Sequence, residues 1–238
     1  MMTMRRWGWV LVLGAMLALA GCIKVDQTLT LNADGSGTLA MRYGMPEQAI
    51  AQLQAIQQMA AQGGEGLEVQ QEAPFDFEPE QVRADFEASK PEGVELTALS
   101  SEVVDGWKYI DLTLAFDDIG ALKRTEMFEK SNLSIEPTPD GNYRITQRGG
   151  GDTDLPGGEA ADAQLMQQMA AMLAGFRIAQ TVVVPGDIIE TNAPQVDGRR
   201  ASWVFDIAQD PNVIQTIADT NLELVFDGDG VALPTLAP

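Results

Sequence analysis

The sequence predicts an α+β domain in which a largely antiparallel β-sheet, built from hairpins, carries helices on one face. Three observations lead there. Apolar and polar residues alternate with a period of two over several segments. Neighbouring segments are joined through Asp-Gly at 34–35, 105–106 and 140–141, where glycine supplies the positive φ of a tight hairpin turn. Apolar residues recur at helical spacing after Pro46 and Pro79. Parallel strands need long crossovers, so connections this short favour antiparallel order.

In chain order, Val25, Gln27, Leu29 and Leu31 alternate with Asp26, Thr28 and Thr30, and Leu39, Met41 and Tyr43 resume the period beyond the turn. Pro46 suits a first helical turn, and Ala49, Leu53, Ile56 and Ala60 follow on one face until Gln62-Gly63-Gly64. A second, shorter helix starts at Pro79 with Val82 and Phe86 on one side and stops at Lys90-Pro91. Segments 94–104 and 107–116 form the next hairpin, with Asp117-Asp118 capping a short helical turn through Leu122. Segments 133–136 and 142–147 form a third.

Glycines at 149–151 and 157–158 mark a flexible insert at 149–173, whose second half places Leu165, Met166, Met169, Met172 and Leu173 at helical spacing. That stripe fits a core face better than an adaptable binding surface, although methionine serves both. Strands are expected over 176–184 and 199–207, separated by Pro185-Gly186-Asp187, Ile188, Ile189 and an Asp197-Gly198 turn. Asp210-Pro211 opens a short helix through Val213, Ile214 and Ile217, and Leu222, Leu224 and Phe226 close the sheet. Residues 227–238 read as an exposed C-terminal tail. Asp227-Gly228-Asp229-Gly230 lacks the spaced ligands and closing glutamate of a calcium loop and reads as a turn.

Ahead of the domain stand Arg5 and Arg6, an uncharged run from Trp7 to Ala20, and Leu19-Ala20-Gly21-Cys22. The run is shorter than the ~20 residues that span a bilayer, so 1–21 reads as a signal peptide. The four residues resemble the lipobox of bacterial lipoproteins, which implies acylation, as by palmitate, at Cys22, the sole cysteine and the new N-terminus. Cleavage there leaves residues 22–226 as one lipid-anchored domain before the tail. Ile23 after the cysteine, rather than an aspartate, implies by the same resemblance the outer membrane, facing the periplasm, in a Gram-negative cell; otherwise the anchor lies on the outer face of a bacterial membrane.

Removing Arg5 and Arg6 leaves 13 of the 15 basic residues against 35 acidic ones, a formal charge of −22. Such a surface repels phosphate backbones, which argues against nucleic acid as a partner. The chain has no histidine, and Cys22 is committed to the anchor, so the commonest general base, transition-metal ligand and thiol nucleophile are missing. No Gly-x-Ser-x-Gly elbow, phosphate loop or dinucleotide fingerprint is present. A non-enzymatic protein is expected, with no catalytic residue, metal site or cofactor; carboxylate pairs for glycoside chemistry are too common among 35 acids to be told apart by sequence.

The run Val184-Pro185-Gly186-Asp187-Ile188-Ile189-Glu190-Thr191-Asn192, followed by Gly198 and Trp203, resembles the late strand-turn-strand signature of the LppM-like domain of bacterial lipoproteins. The upstream order of strand pair, two helices and hairpins is similar. The resemblance implies an antiparallel sheet carrying helices, held at the cell envelope and taking glycolipids of the phosphatidylinositol-mannoside type. The signature residues also read as turn formers and, for Trp203, a core aromatic. No ligand-binding residue is assigned.

A membrane-anchored envelope lipoprotein that binds a lipid or glycolipid between sheet and helices is therefore expected. The alternative is an envelope interaction or assembly protein without a small ligand, its protein partner unnamed. Trp107 and Trp203, the two tryptophans beyond the leader, fall on sheet strands, and at least one is expected to report on a ligand entering that space.

Overall fold

The computed structural model describes residues 23–62, 76–125, 128, 131–148 and 175–236, with the side chains of 56–62 set aside. The leader, Cys22 and the insert at 149–173 lie outside the described residues. Among the described residues, eleven strands form two mostly antiparallel sheets accompanied by four helices, so the α+β class stands and the single expected sheet becomes two.

The first hairpin joins β1 (Lys24–Leu31) to β2 (Gly37–Pro46). Its turn is set by Gly35 at φ +88°, and the Asp34 carboxylate accepts from the backbone N–H and hydroxyl of Ser36. Those bonds, the hydroxyl's first, hold the Asp34 carboxyl below its ordinary value. Helix α1 (Glu47–Gln62) and helix α2 (Pro79–Ser89) begin beside the two prolines that announced them. Then β3 (Val94–Val104) and β4 (Trp107–Phe116) turn through Asp105 at φ +51° and Gly106 at φ +76°. Asp118 caps α3 (Ile119–Lys123) by accepting from the Ala121 N–H at 2.9 Å.

The first sheet has seven strands in the order β3-β4-β2-β1-β7-β10-β9, with β7 (Arg177–Val183), β9 (Gln195–Asp197) and β10 (Arg200–Asp206). One pair in it is parallel: β7 lies beside β1 with Arg177 opposite Lys24. The second sheet has the order β5-β6-β11-β8, from β5 (Ser134–Pro137), β6 (Tyr143–Arg148), β8 (Ile188–Thr191) and β11 (Asn221–Phe226). Helix α4 (Val213–Asp219) returns the chain from β10 to β11. It starts past Asp210-Pro211, because Asp210 closes a preceding turn by accepting from the Asn212 N–H.

Alternation along each strand turns Leu29, Leu39, Met41, Ile110, Leu112, Leu114, Val182 and Trp203 to the inner face, where they join one core with α3 and the second sheet. Leu39 and Ile110 are fully buried, so truncating either to alanine costs roughly 2–5 kcal/mol.

The expected exposed tail is largely exposed over 227–236 but is tied to the fold. Ala232 donates to the Ala33 carbonyl, Ile135 and Leu236 exchange backbone bonds, and Leu233 is buried. Leu233 and Leu236 have apolar area to cover, and the second sheet's β5 offers a free edge. Asp227 to Gly230 forms a turn, with Asp227 accepting from the Asp229 N–H.

Candidate functional site

Cys22 lies just outside the described residues, and the fold takes hold at once after it. Arg177 donates its N–H to the Ile23 carbonyl at 3.0 Å, and Lys24 opens β1. Two residues of chain reach about 7 Å at full extension, so Cys22 lies within that distance of Lys24.

The outer face of the seven-stranded sheet at this end carries a ladder of aromatic and cationic groups. Register places Lys24, Gly44 and Tyr109 in one row and Asp26, Arg42 and Asp111 in the next. The Lys24 ammonium sits 4.0 Å from the Trp107 ring, Trp107 stacks on Tyr109 with centroids 6.2 Å apart, and the Arg42 guanidinium lies 4.2 Å over Tyr109. Arg42 also donates to Asp111 at 2.7 Å and to Glu102, and those carboxylates raise its already high pKa, the bond to Glu102 foremost. Gly44 permits the ladder, since a Cβ there would lie 2.3 Å from the Tyr109 ring. Each cation–π contact is worth about 0.5–1 kcal/mol at such sites, enough to hold side chains in place.

On the inner side, α2 and the sheet meet in a half-open seam. Lys108 pairs with Glu78 at 2.6 Å, and the Tyr43 hydroxyl donates to the Asp76 carbonyl at 2.6 Å, fixing the start of α2. Burial, with the Asp76 charge adding, pushes the Tyr43 phenol well above its ordinary value. Phe77 is buried edge-on against Tyr43. Yet α2 itself contributes no fully buried residue: Val82 and Phe86 rest on the core only half-covered, as do Leu53, Leu96 and Leu99 around them. That seam lies between the sheet and α2.

The two tryptophans divide between these faces. Trp203 is buried and donates its indole N–H to Asn192 Oδ1 at 3.1 Å, while Trp107 belongs to the outer ladder. Alternation fixes their faces, but only strand order shows their distance from α2.

The signature from Val184 to Trp203 builds the junction between sheets. Pro185-Gly186-Asp187 carries the chain from β7 to β8, and a Cβ on Gly186 would lie 2.0 Å from the Asp227 carbonyl oxygen. Arg199 braces the crossing by donating to Asp187 and to the Pro185 carbonyl. Asn192 accepts from the Glu223 N–H and donates to the Asn221 carbonyl, tying β11 to Trp203. These contacts assign the motif a structural role.

Among the described residues, no helix is long and apolar enough to cross a membrane, and no group of three Asp, Glu, His or Cys residues is placed to hold a metal ion. A further open hollow of about 430 Å³ is lined by Gly120, Lys123, Arg124 and Leu236. No protein-family model and no curated protein matches the sequence. Among solved structures, the folded domain of the LppM protein of Mycobacterium tuberculosis, determined by NMR, is similar to 90% of this chain over 95% of its own, at 12% identity and a TM-score of 0.43. That is a weak, fold-level resemblance, silent on ligand and site.

Proposed function

We propose that the protein is a cell-envelope lipoprotein, acylated at Cys22, whose domain is a non-enzymatic binding module for a lipid or glycolipid. The half-open seam under α2 carries the ligand part of this reading. A helix of eleven residues with none fully buried, whose Val82 and Phe86 rest half-covered on the core, has the least packing to lose if an acyl chain lies along it. The anchor part rests on the lipobox and on the absence of any long linker between Cys22 and β1.

Cys22→Ala is expected to abolish fatty-acid labelling and membrane attachment, because the domain, at a formal charge of −22 by sequence, has no charge attraction to anionic lipid to replace the anchor. Continued labelling of the variant would overturn the anchor. For the ligand, the domain from Lys24 onward is titrated by calorimetry with phospholipid and glycolipid below their critical micelle concentrations. Saturable micromolar binding, about −8 kcal/mol, with a negative heat-capacity change is expected. No saturable heat and no co-purifying lipid would favour an interaction protein, for which β3 is the natural docking edge: it ends the seven-stranded sheet and is exposed over most of its length.

A further inference from the structure

We propose that the tip of the β3–β4 hairpin, residues 103–107, rests in the interfacial layer of the membrane that holds the acyl anchor, giving the domain a second foothold and one orientation. The proposal builds on acylation of Cys22. Both β1 and β4 are antiparallel to the β2 strand between them, so they run the same way. The chain leading back from Lys24 to Cys22 and the turn at Asp105-Gly106 therefore leave the sheet at the same end. Lys24 shares a row with Tyr109 through Gly44, and Trp107 lies two residues further out, about 7 Å along the strand. Cys22 is also two residues from Lys24 and can lie no further out than about 7 Å. An acyl chain inserted from that point brings the membrane surface level with Trp107 and the turn beyond it.

The tip has the chemistry such a position requires. Val103 and Val104 are 53% and 43% exposed on opposite sides of the hairpin, and the half-buried Trp107 offers an apolar ring with an N–H. Lys24 lies against that ring, Lys108 pairs with Glu78 and Arg177 with Asp26; the turn itself carries the exposed Asp105, and the valines and indole supply the attraction. Exposure alone does not mark the site. Val196 is 52% exposed but lies level with Leu29 through Ala201 and Val182, five residues up the sheet from Lys24 and out of reach of the same surface.

The test uses the acylated full-length protein, purified in detergent and returned to phosphatidylcholine vesicles, some with bromine near the head of one acyl chain. Brominated lipid is expected to quench the emission lost in a Trp107→Phe variant and to spare that of buried Trp203. Val103→Asp with Val104→Asp should abolish the quenching while leaving acylation, vesicle association and the urea midpoint unchanged; Val103→Ser with Val104→Ser should weaken it. Unquenched Trp107 in a protein shown by mass spectrometry to be acylated and vesicle-bound would overturn the foothold alone. So would crosslinking of the tip to another envelope protein with Trp107 unquenched. An unacylated Cys22 would overturn the anchor and, with it, the foothold.

Discussion

Replacing Asn192 by alanine separates a structural residue from a ligand-binding one. The Asn192 side chain makes three bonds: its Oδ1 accepts from the Trp203 indole N–H at 3.1 Å and the Glu223 N–H at 3.0 Å, and its Nδ2 donates to the Asn221 carbonyl at 2.6 Å. The partners are not equal. Asn192 is exposed, so water can replace it at the two backbone groups of β11. The Trp203 side chain is buried at 3% exposure, and its indole N–H would be left facing little else, which sets most of the expected loss. An unpaired buried donor costs roughly 1–3 kcal/mol, and the backbone partners add a few tenths each. The domain should therefore lose about 1–3 kcal/mol in urea unfolding followed by circular dichroism. A double-mutant cycle with Trp203→Phe should show a coupling of about 1 kcal/mol, because the phenyl ring has no donor to orphan. A change below about 0.5 kcal/mol together with lost lipid binding would refute the structural assignment and make Asn192 a ligand contact.

Gly186→Ala should cost more than Gly198→Ala: the first forces a Cβ to 2.0 Å from the Asp227 carbonyl oxygen, while the second meets nothing within 4 Å and pays only for φ +57°, about 1–2 kcal/mol by denaturant midpoint. Equal losses would show that the inter-sheet crossing yields easily. The raised phenol of Tyr43 means that the unfolded chain gives up this proton first. Stability is thus fully present below the ordinary value of 10.0 and falls as pH climbs above it; Tyr43→Phe should flatten that alkaline slope and cost about 1 kcal/mol at neutral pH, read by urea titrations at both pH values.

Local chemistry made much of the chain legible. Asp34-Gly35, Asp105-Gly106 and Asp140-Gly141 each sit at a turn with glycine at positive φ, and prolines 46 and 79 mark the helix starts. Period-two alternation says which face a residue takes but not which strand lies beside it. For that reason the parallel pairing of β1 with β7, some 150 residues apart, and the division into two sheets were not legible. Asn192 reads as a turn former from sequence, yet its hydrogen bonds reach Trp203 and β11. The ladder was hidden for the same reason. Lys24 and Arg42 are far in sequence from Trp107 and Tyr109, and only register brings them together. Cys22 is the reverse case, explicit in sequence and outside the described residues.

That long-range pairing also decides what surrounds the start of β1. Had β1 paired only with β2, it would form a free edge of the sheet. Instead β1 lies inside a seven-stranded sheet, held by β2 on one side and β7 on the other, with Arg177 bonded to Asp26 across the parallel pair. Force applied at the start of β1 is therefore borne by two ladders of backbone bonds rather than one. The same pairing brings Gly175, where the chain re-enters the described fold, against Trp107: a Cβ on Gly175 would lie 3.3 Å from the indole. Gly175 thus enters the described fold beside Trp107, at the end of the sheet where β1 begins.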